Sequence, residues 1–284
     1  MGNLLSAGMY RLVRNKLAWL LLLIMVVLTS GIFLQTFRLN QENLAAPGFV
    51  PSTLYPLDNY FFGYSMLQIV SMAVFCPLFL SSEYGDGTLR NKLIVGHSPI
   101  QVYLGNLNVN CLFAVISCLT GIFCGMCVGV PMLGWFQEAG TEYIAFCMLI
   151  SLTLSLVCTA IYTLITMVVP NRGIAVTVCV LLAFGMIFWG QSLALKLSQP
   201  EFQRSISVAD GGYMYSDSIP NPAFVSGIQR QIYQFFYNLI PGGQAYQILA
   251  MELESPIQIL AYNILTFTTS TILGLALFRR KDIK

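Results

Sequence analysis

The residue types that carry out catalysis, metal binding or proton transfer are scarce in this chain, and their positions decide which chemistry is open to it. A single histidine, His97, is present, so an imidazole-based metal centre, a His-based catalytic dyad and a proton relay each lack their principal group. The eight cysteines, Cys76, Cys111, Cys118, Cys124, Cys127, Cys147, Cys158 and Cys179, fall inside or at the ends of apolar runs. That placement reads as packing by small apolar side chains rather than as a disulfide framework. Cys124-x-x-Cys127 has the spacing of half a zinc site, yet no second ligand pair accompanies it, and no metal is expected. A nucleotide-binding P-loop needs a glycine directly before its lysine, so that bare amides can cradle phosphate. The five lysines follow Asn15, Asn91, Leu195, Arg280 and Ile283. The chain is therefore not a Walker-type ATPase by itself.

What remains is a set of uncharged polar groups and one charged loop. Gln68, Ser71, Gln191 and Asn263, together with Thr266, Thr268, Thr269 and Thr271, lie within otherwise apolar runs. Such groups either satisfy one another across packed helices or line a transport cleft, and both readings stand at this point. Gly121-x-x-x-Gly125-x-x-x-Gly129 sets three glycines on one helical face. A second helix, from this subunit or another, can approach closely there. The loop Ser81 to Pro99 carries Glu83, Asp86, Arg90 and Lys92. Asp86 is placed to charge the N-terminus of a short helix with Arg90 four residues on, Leu89 and Leu93 share one face, and Gly96 and Pro99 end the run. A short, stiff helix on a connection too small to be a domain suits docking to a soluble partner.

The elements that must hold these groups follow from composition. Of 284 residues 56% are hydrophobic and 9% charged, with a mean hydropathy of +0.72; soluble domains carry about 25% charged residues. A water-soluble globular enzyme is excluded, and a formal charge of +2 gives no reason to expect a nucleic-acid partner. Six windows free of Asp, Glu, Lys and Arg, at 17–34, 61–80, 108–133, 143–169, 173–195 and 257–278, are long enough to cross a bilayer. The expected fold class is thus an all-α integral membrane protein, organised as a single transmembrane domain over 1–284. An even number of spans puts both termini on one side. With that side inside, ten of the 14 Lys and Arg residues and three of the 12 acids are internal, as the positive-inside rule requires. Residues 1–16, with Leu4, Leu5, Met9, Leu12 and Val13 at helical spacing and Arg11 and Arg14 off that stripe, read as an amphipathic interfacial helix. Residues 81–107 form the cytoplasmic loop, and 196–256 an extracellular insertion. Its first half, through Asp210-Gly211-Gly212 and Ile219-Pro220-Asn221-Pro222, reads as turn-rich. Its second half reads as a helix capped by Asn221 and Pro222 and stopped by Pro241-Gly242-Gly243.

The core Glu83-Tyr-x-x-Gly-Thr-Leu-Arg-Asn-Lys-Leu93, the later Ser98-Pro-Ile-Gln-Val-Tyr-Leu-Gly-Asn106, the outer Phe235-Phe-Tyr-Asn-Leu-Ile-Pro-Gly-Gly-Gln244 and the tail Leu277-Phe-Arg-Arg-Lys-Asp-Ile-Lys284 resemble the membrane subunits of ABC-2 type ATP-binding-cassette exporters. The resemblance implies a bacterial cytoplasmic-membrane permease with both termini cytoplasmic, a second permease subunit, and two copies of a separate ATPase that bind ATP and Mg. It also implies that Glu83, Gly87, Thr88, Arg90, Asn91 and Lys92 form a coupling helix against that ATPase, with Arg11, Arg14 and Lys16 bordering the interfacial helix. Its cargo would be an amphipathic or hydrophobic molecule, such as a peptide antibiotic, a drug or a lipid, moved outward.

Overall fold

A computed structural model describes residues 2–46, 54–85, 87–137, 139–209 and 212–280. Helix α1 (Gly2–Val13) turns at Arg14 and Asn15 into α2 (Lys16–Ala45), and the Asn15 side chain caps α2 by accepting from the Leu17 and Ala18 amides at 2.8 and 3.3 Å. Two 3₁₀ turns, Leu57–Asn59 and Phe61–Gly63, lead into α3 (Tyr64–Gly85). The short α4 (Thr88–Ile94) precedes α5 (Pro99–Cys124). A capping box opens α5, with the Ser98 hydroxyl accepting from the Gln101 amide and Pro99 at the first helical position. Pro131 supplies no amide to the helical ladder; ahead of it, Gly125–Gly129 is wound as a π turn whose last bond runs from the Val130 amide to the Gly125 carbonyl, and α6 (Val130–Leu133) completes the span. There follow α7 (Thr141–Val168), α8 (Arg172–Leu197), strands β1 (Phe202–Ala209) and β2 (Gly212–Pro220), α9 (Gly227–Leu239), α10 (Pro241–Leu249) and α11 (Pro256–Arg279).

Among the described residues six helical segments are long and apolar enough to cross a membrane: Lys16–Ala45, Leu57–Tyr84, Pro99–Leu133, Thr141–Val168, Arg172–Leu197 and Pro256–Arg279. The fold is an all-α membrane protein with six such spans. Central α7 packs against α3, α5 and α11, while α1 lies along α5 and α10 against α8. Helices α2, α8 and α11 leave most of their apolar side chains exposed, which is the surface a lipid or a second membrane subunit covers. One end of the bundle holds α1, α4 and the end of α11, where Tyr103 and Phe278 lie 6.1 Å apart. The other end holds the hairpin, α9 and α10. We refer to the first as the handle end.

Between spans the apolar driving force is weak, because lipid is as apolar as a leucine; close van der Waals fit carries the packing instead. The glycine stripe of α5 shows this. A Cβ on Gly121 would lie 2.5 Å from the Tyr64 ring, one on Gly125 2.5 Å from the Phe61 ring, and one on Gly129 2.9 Å from Leu57 and 3.1 Å from Phe33. The stripe therefore receives aromatic rings of this same subunit. At the far end Gly190 of α8 meets the backbone of Gly242 and Gly243, with a Cβ on Gly242 placed 1.9 Å from the Met186 carbonyl oxygen.

Two expectations for 196–256 are corrected and a third is extended. The first half is an antiparallel hairpin with Phe202 opposite Pro220 and Ala209 opposite Gly212; residues 210–211 of its turn lie outside the described residues. Asn221 does not cap α9. It accepts from the Ala223 amide at 2.9 Å and donates to the Pro200 carbonyl at 3.0 Å, tying the base of the hairpin, and α9 starts only at Gly227. Helix α9 does stop at Leu239, ahead of Pro241-Gly242-Gly243, and the same three residues open a further helix, α10, because proline at a first helical position needs no amide partner and glycines let α10 touch α8. Span boundaries move as well: α5 starts at Pro99 rather than Asn108, and α2 runs on to Ala45.

Candidate functional site

The handle is built around one carboxylate. Glu83 sits at the end of α3 with a relative exposure of 3%, and three other elements converge on it. Arg11 of α1 donates to Oε1 through Nη1, Lys92 of α4 donates to the same oxygen at 2.5 Å, and Asn106 of α5 donates to Oε2 at 2.9 Å. Arg11 also stacks over the Phe79 ring at 3.9 Å, so its charge is held from two sides. The neighbouring Tyr84 donates its hydroxyl to the Met167 carbonyl of α7 at 2.7 Å. Five helices are thus joined through two consecutive residues. A carboxylate this far from water is stable only with partners of this kind, and its loss would strand two cations.

Backbone geometry turns the chain from α3 into α4. Gly87 takes the N-cap position with φ of +64°, a left-handed conformation that favours glycine, and the Thr88 hydroxyl donates to the Glu83 carbonyl at 3.3 Å. The expected cap, Asp86, lies outside the described residues. Leu89 is buried at 1% and anchors the inner face. Thr88, Arg90 and Asn91 are exposed, and Ile94 and Val95 are exposed to 71% and 79%. The loop residues singled out in sequence therefore separate into two sets. Thr88, Arg90 and Asn91 face outward, while Glu83 faces the bundle, Lys92 spans the two, and Gly87 makes the turn.

Around the interfacial helix the separation is similar. Arg14 and Lys16 are exposed, and Lys16 belongs to α2, whereas Arg11 points at Glu83. The expected apolar stripe of α1 divides. Leu12 is buried while Leu5, Met9 and Val13 are exposed, because Gly8 lets α1 close on α5 against Val109.

The family model for ABC-2 family transporter proteins matches residues 4–188. The chain belongs to the ABC-2 transporter family. No curated protein matches it. The matched region runs from α1 into α8 and contains the whole Glu83 cluster. ABC-2 permeases are the membrane subunits of transporters and generally work with an ATPase subunit.

Among the intramembrane polar residues of this ABC-2 permease, Gln68 and Asn263 pair across helices, whereas the Thr268, Thr269 and Thr271 hydroxyls donate to carbonyls of their own helix. Gln68 is fully buried and donates to the Ala114 carbonyl at 2.9 Å; Asn263 donates to Thr153 at 2.9 Å and accepts from Gln244 at 2.8 Å. Ser71 is 9% exposed. Gln191 on α8 and Thr268 and Thr269 on α11 are exposed, and these are the members of that set open to a partner or cargo. Sequence reading missed Asn110, which donates to Thr163 at 2.9 Å, and Asn106; both sit on the α5 face that also carries the glycine stripe. Gln68→Leu is expected to alter stability by no more than about 1 kcal/mol and to leave the cargo range unchanged, measured by thermal unfolding in detergent and by comparing cargo selectivity. A changed selectivity would place Gln68 in the transport path.

Proposed function

We propose that this chain is the permease subunit of an ATP-driven exporter, in which a separate ATPase grips the exposed face of α4 and the clamp at Glu83 delivers its movement to the helix bundle. The observation that carries this reading is the mounting of α4: an outward face of Thr88, Arg90 and Asn91 on a helix only seven residues long, fixed behind by a buried carboxylate. A freely hanging loop could bind an ATPase but would absorb its motion. Two discrete arrangements of the bundle, whose balance the ATPase shifts, then suffice for alternating exposure of a cargo path.

The handle end is assigned to the cytoplasm, since ten of the 14 basic residues fall on that side of the spans. The six apolar windows carry no Asp, Glu, Lys or Arg, so a path between two such permeases suits an amphipathic or hydrophobic cargo better than an inorganic ion. Candidates are a peptide antibiotic, a drug or a lipid, released outward with the α9 and α10 region as a lid. In this assembly two ATPase copies supply ATP and Mg, and a second permease, identical or homologous, completes the cleft.

Orientation is the first test. Cysteine placed at the exposed position 95, in a Cys127→Ser background, is expected to react with a membrane-impermeant maleimide in inside-out vesicles and not in intact cells. Reaction in intact cells would put the handle outside and end this reading. Purification of the chain from its native membranes is expected to bring down a second polypeptide that hydrolyses ATP. Transport by the chain without that polypeptide would favour an ATP-independent carrier.

A further inference from the structure

We infer that Glu83 is a positioning residue that locks α1 and α4 into one moving body, so that α1 is a second transmission arm rather than a passive membrane-surface helix. The inference rests on the reading of α4 as the ATPase handle. Its basis is that both cations converge on one oxygen: Arg11 from α1 and Lys92 from α4 each donate to Oε1 of Glu83. Neither helix can shift independently without abandoning a buried charge. Oε2 is taken by Asn106 of α5, which sets the orientation of the carboxylate and leaves Oε1 toward the two arms.

The path beyond the clamp is also on α1. Leu4 packs against Gly105 and Gly8 against Val109, so α1 lies along the first three turns of α5 with little side-chain volume between the two backbones. A push on α4 would reach α5 directly through its own connection and again, two turns further along, through α1. Thus α5 receives the movement over a length of helix instead of at its tip. The glycine stripe, further along the same helix, seats the Tyr64 and Phe61 rings and would carry the movement to the far end.

The test uses spin labels at exposed Met9 of α1 and exposed Val95 after α4, introduced as cysteines in a Cys127→Ser background, with pulsed electron resonance on the full chain. In the otherwise native protein one narrow distance distribution is expected, unchanged when the ATPase subunit and ATP are added. Glu83→Gln keeps the shape and removes the charge; its distribution is expected to broaden and to shift by about one helical turn, roughly 5 Å. Arg11→Met and Lys92→Met each release one arm, and serve in the same measurement if E83Q yields no folded protein. A distribution as narrow in these variants as in the native chain would overturn the inference, as would a distance that changes with ATP in the native chain. A second readout separates positioning from a merely structural role. E83Q is expected to retain ATPase binding and hydrolysis while cargo moved per ATP falls at least tenfold; parallel loss of hydrolysis and transport would contradict it. The distances are measured on the chain alone as well, so failure to bind an ATPase would refute the proposed function without deciding the clamp.

Discussion

Valine at position 242 is expected to leave almost no folded permease in the membrane. The argument is geometric. A Cβ on Gly242 would lie 1.9 Å from the Met186 carbonyl oxygen and 2.4 Å from its carbon, and Gly190 opposite is equally tight, with a Cβ 2.4 Å from the Gly242 carbonyl carbon. These are backbone atoms within helices, so relief requires α10 to leave α8 rather than a side chain to rotate. With it would go the buried pairs that α10 makes, Gln244 to Asn263 at 2.8 Å and Gln247 to Asn238 at 3.0 Å. A cost above about 4 kcal/mol follows, within the range reached only by severe disruption of a core. Gly242→Ala should already lower the melting temperature measurably, and Gly242→Val should abolish the monodisperse peak in detergent size exclusion. A valine variant that purifies and melts like the native chain would refute the α8 to α10 contact. Gly227, which is exposed and has no atom near its missing side chain, differs in kind. Its φ of +61° makes substitution strained by backbone geometry alone, and only a modest loss is expected at that position.

The second large effect is functional. Arg90 is exposed on α4 and makes no ion pair with another described residue. Reversing its charge should therefore leave the fold intact and act only on whatever docks there. Loss of one partner of a buried, hydrogen-bonded charge pair at a protein interface costs about 2–5 kcal/mol, and each 1.4 kcal/mol is roughly tenfold in affinity. Arg90→Glu is accordingly expected to weaken capture of the ATPase at least tenfold, with unchanged melting and unchanged insertion. The comparison with E83Q is informative because the two residues are seven positions apart and act differently: E83Q keeps the ATPase and loses the stroke, R90E loses the ATPase. Equal binding by R90E and native chain would move the docking face elsewhere.

How much of this was legible beforehand follows from which interactions leave a one-dimensional trace. The six apolar windows did, because lipid demands continuous apolar runs, and all six reappear as spans. The handle did too, through a short amphipathic turn of charge between two spans. The inward aim of Glu83 did not, since its partners Arg11 and Asn106 come from 72 residues before and 23 after, and a charged loop residue ordinarily faces water. The glycine stripe announced close approach but not by what, as rings and helices demand the same missing Cβ. At Pro241-Gly242-Gly243 the breaker signal marks the end of α9 and gives no sign that α10 starts at once. Proline and glycine also occur where a new helix starts against a crowded neighbour, and only Gly190 on another helix resolves the two. The hairpin left an alternating trace, Phe202, Ile206 and Val208 on one side of Asp210-Gly211-Gly212 and Tyr213 and Tyr215 on the other; a turn-rich composition masked it.

The most direct test of the central claim is uptake of a fluorescent amphipathic peptide into sealed vesicles whose α4 face is outside. With this chain and its co-purified ATPase subunit present, addition of ATP and Mg should concentrate the peptide inside, and R90E vesicles should fail to do so. Accumulation against a gradient by vesicles holding this chain alone, or accumulation by R90E vesicles at the native rate, would contradict the account.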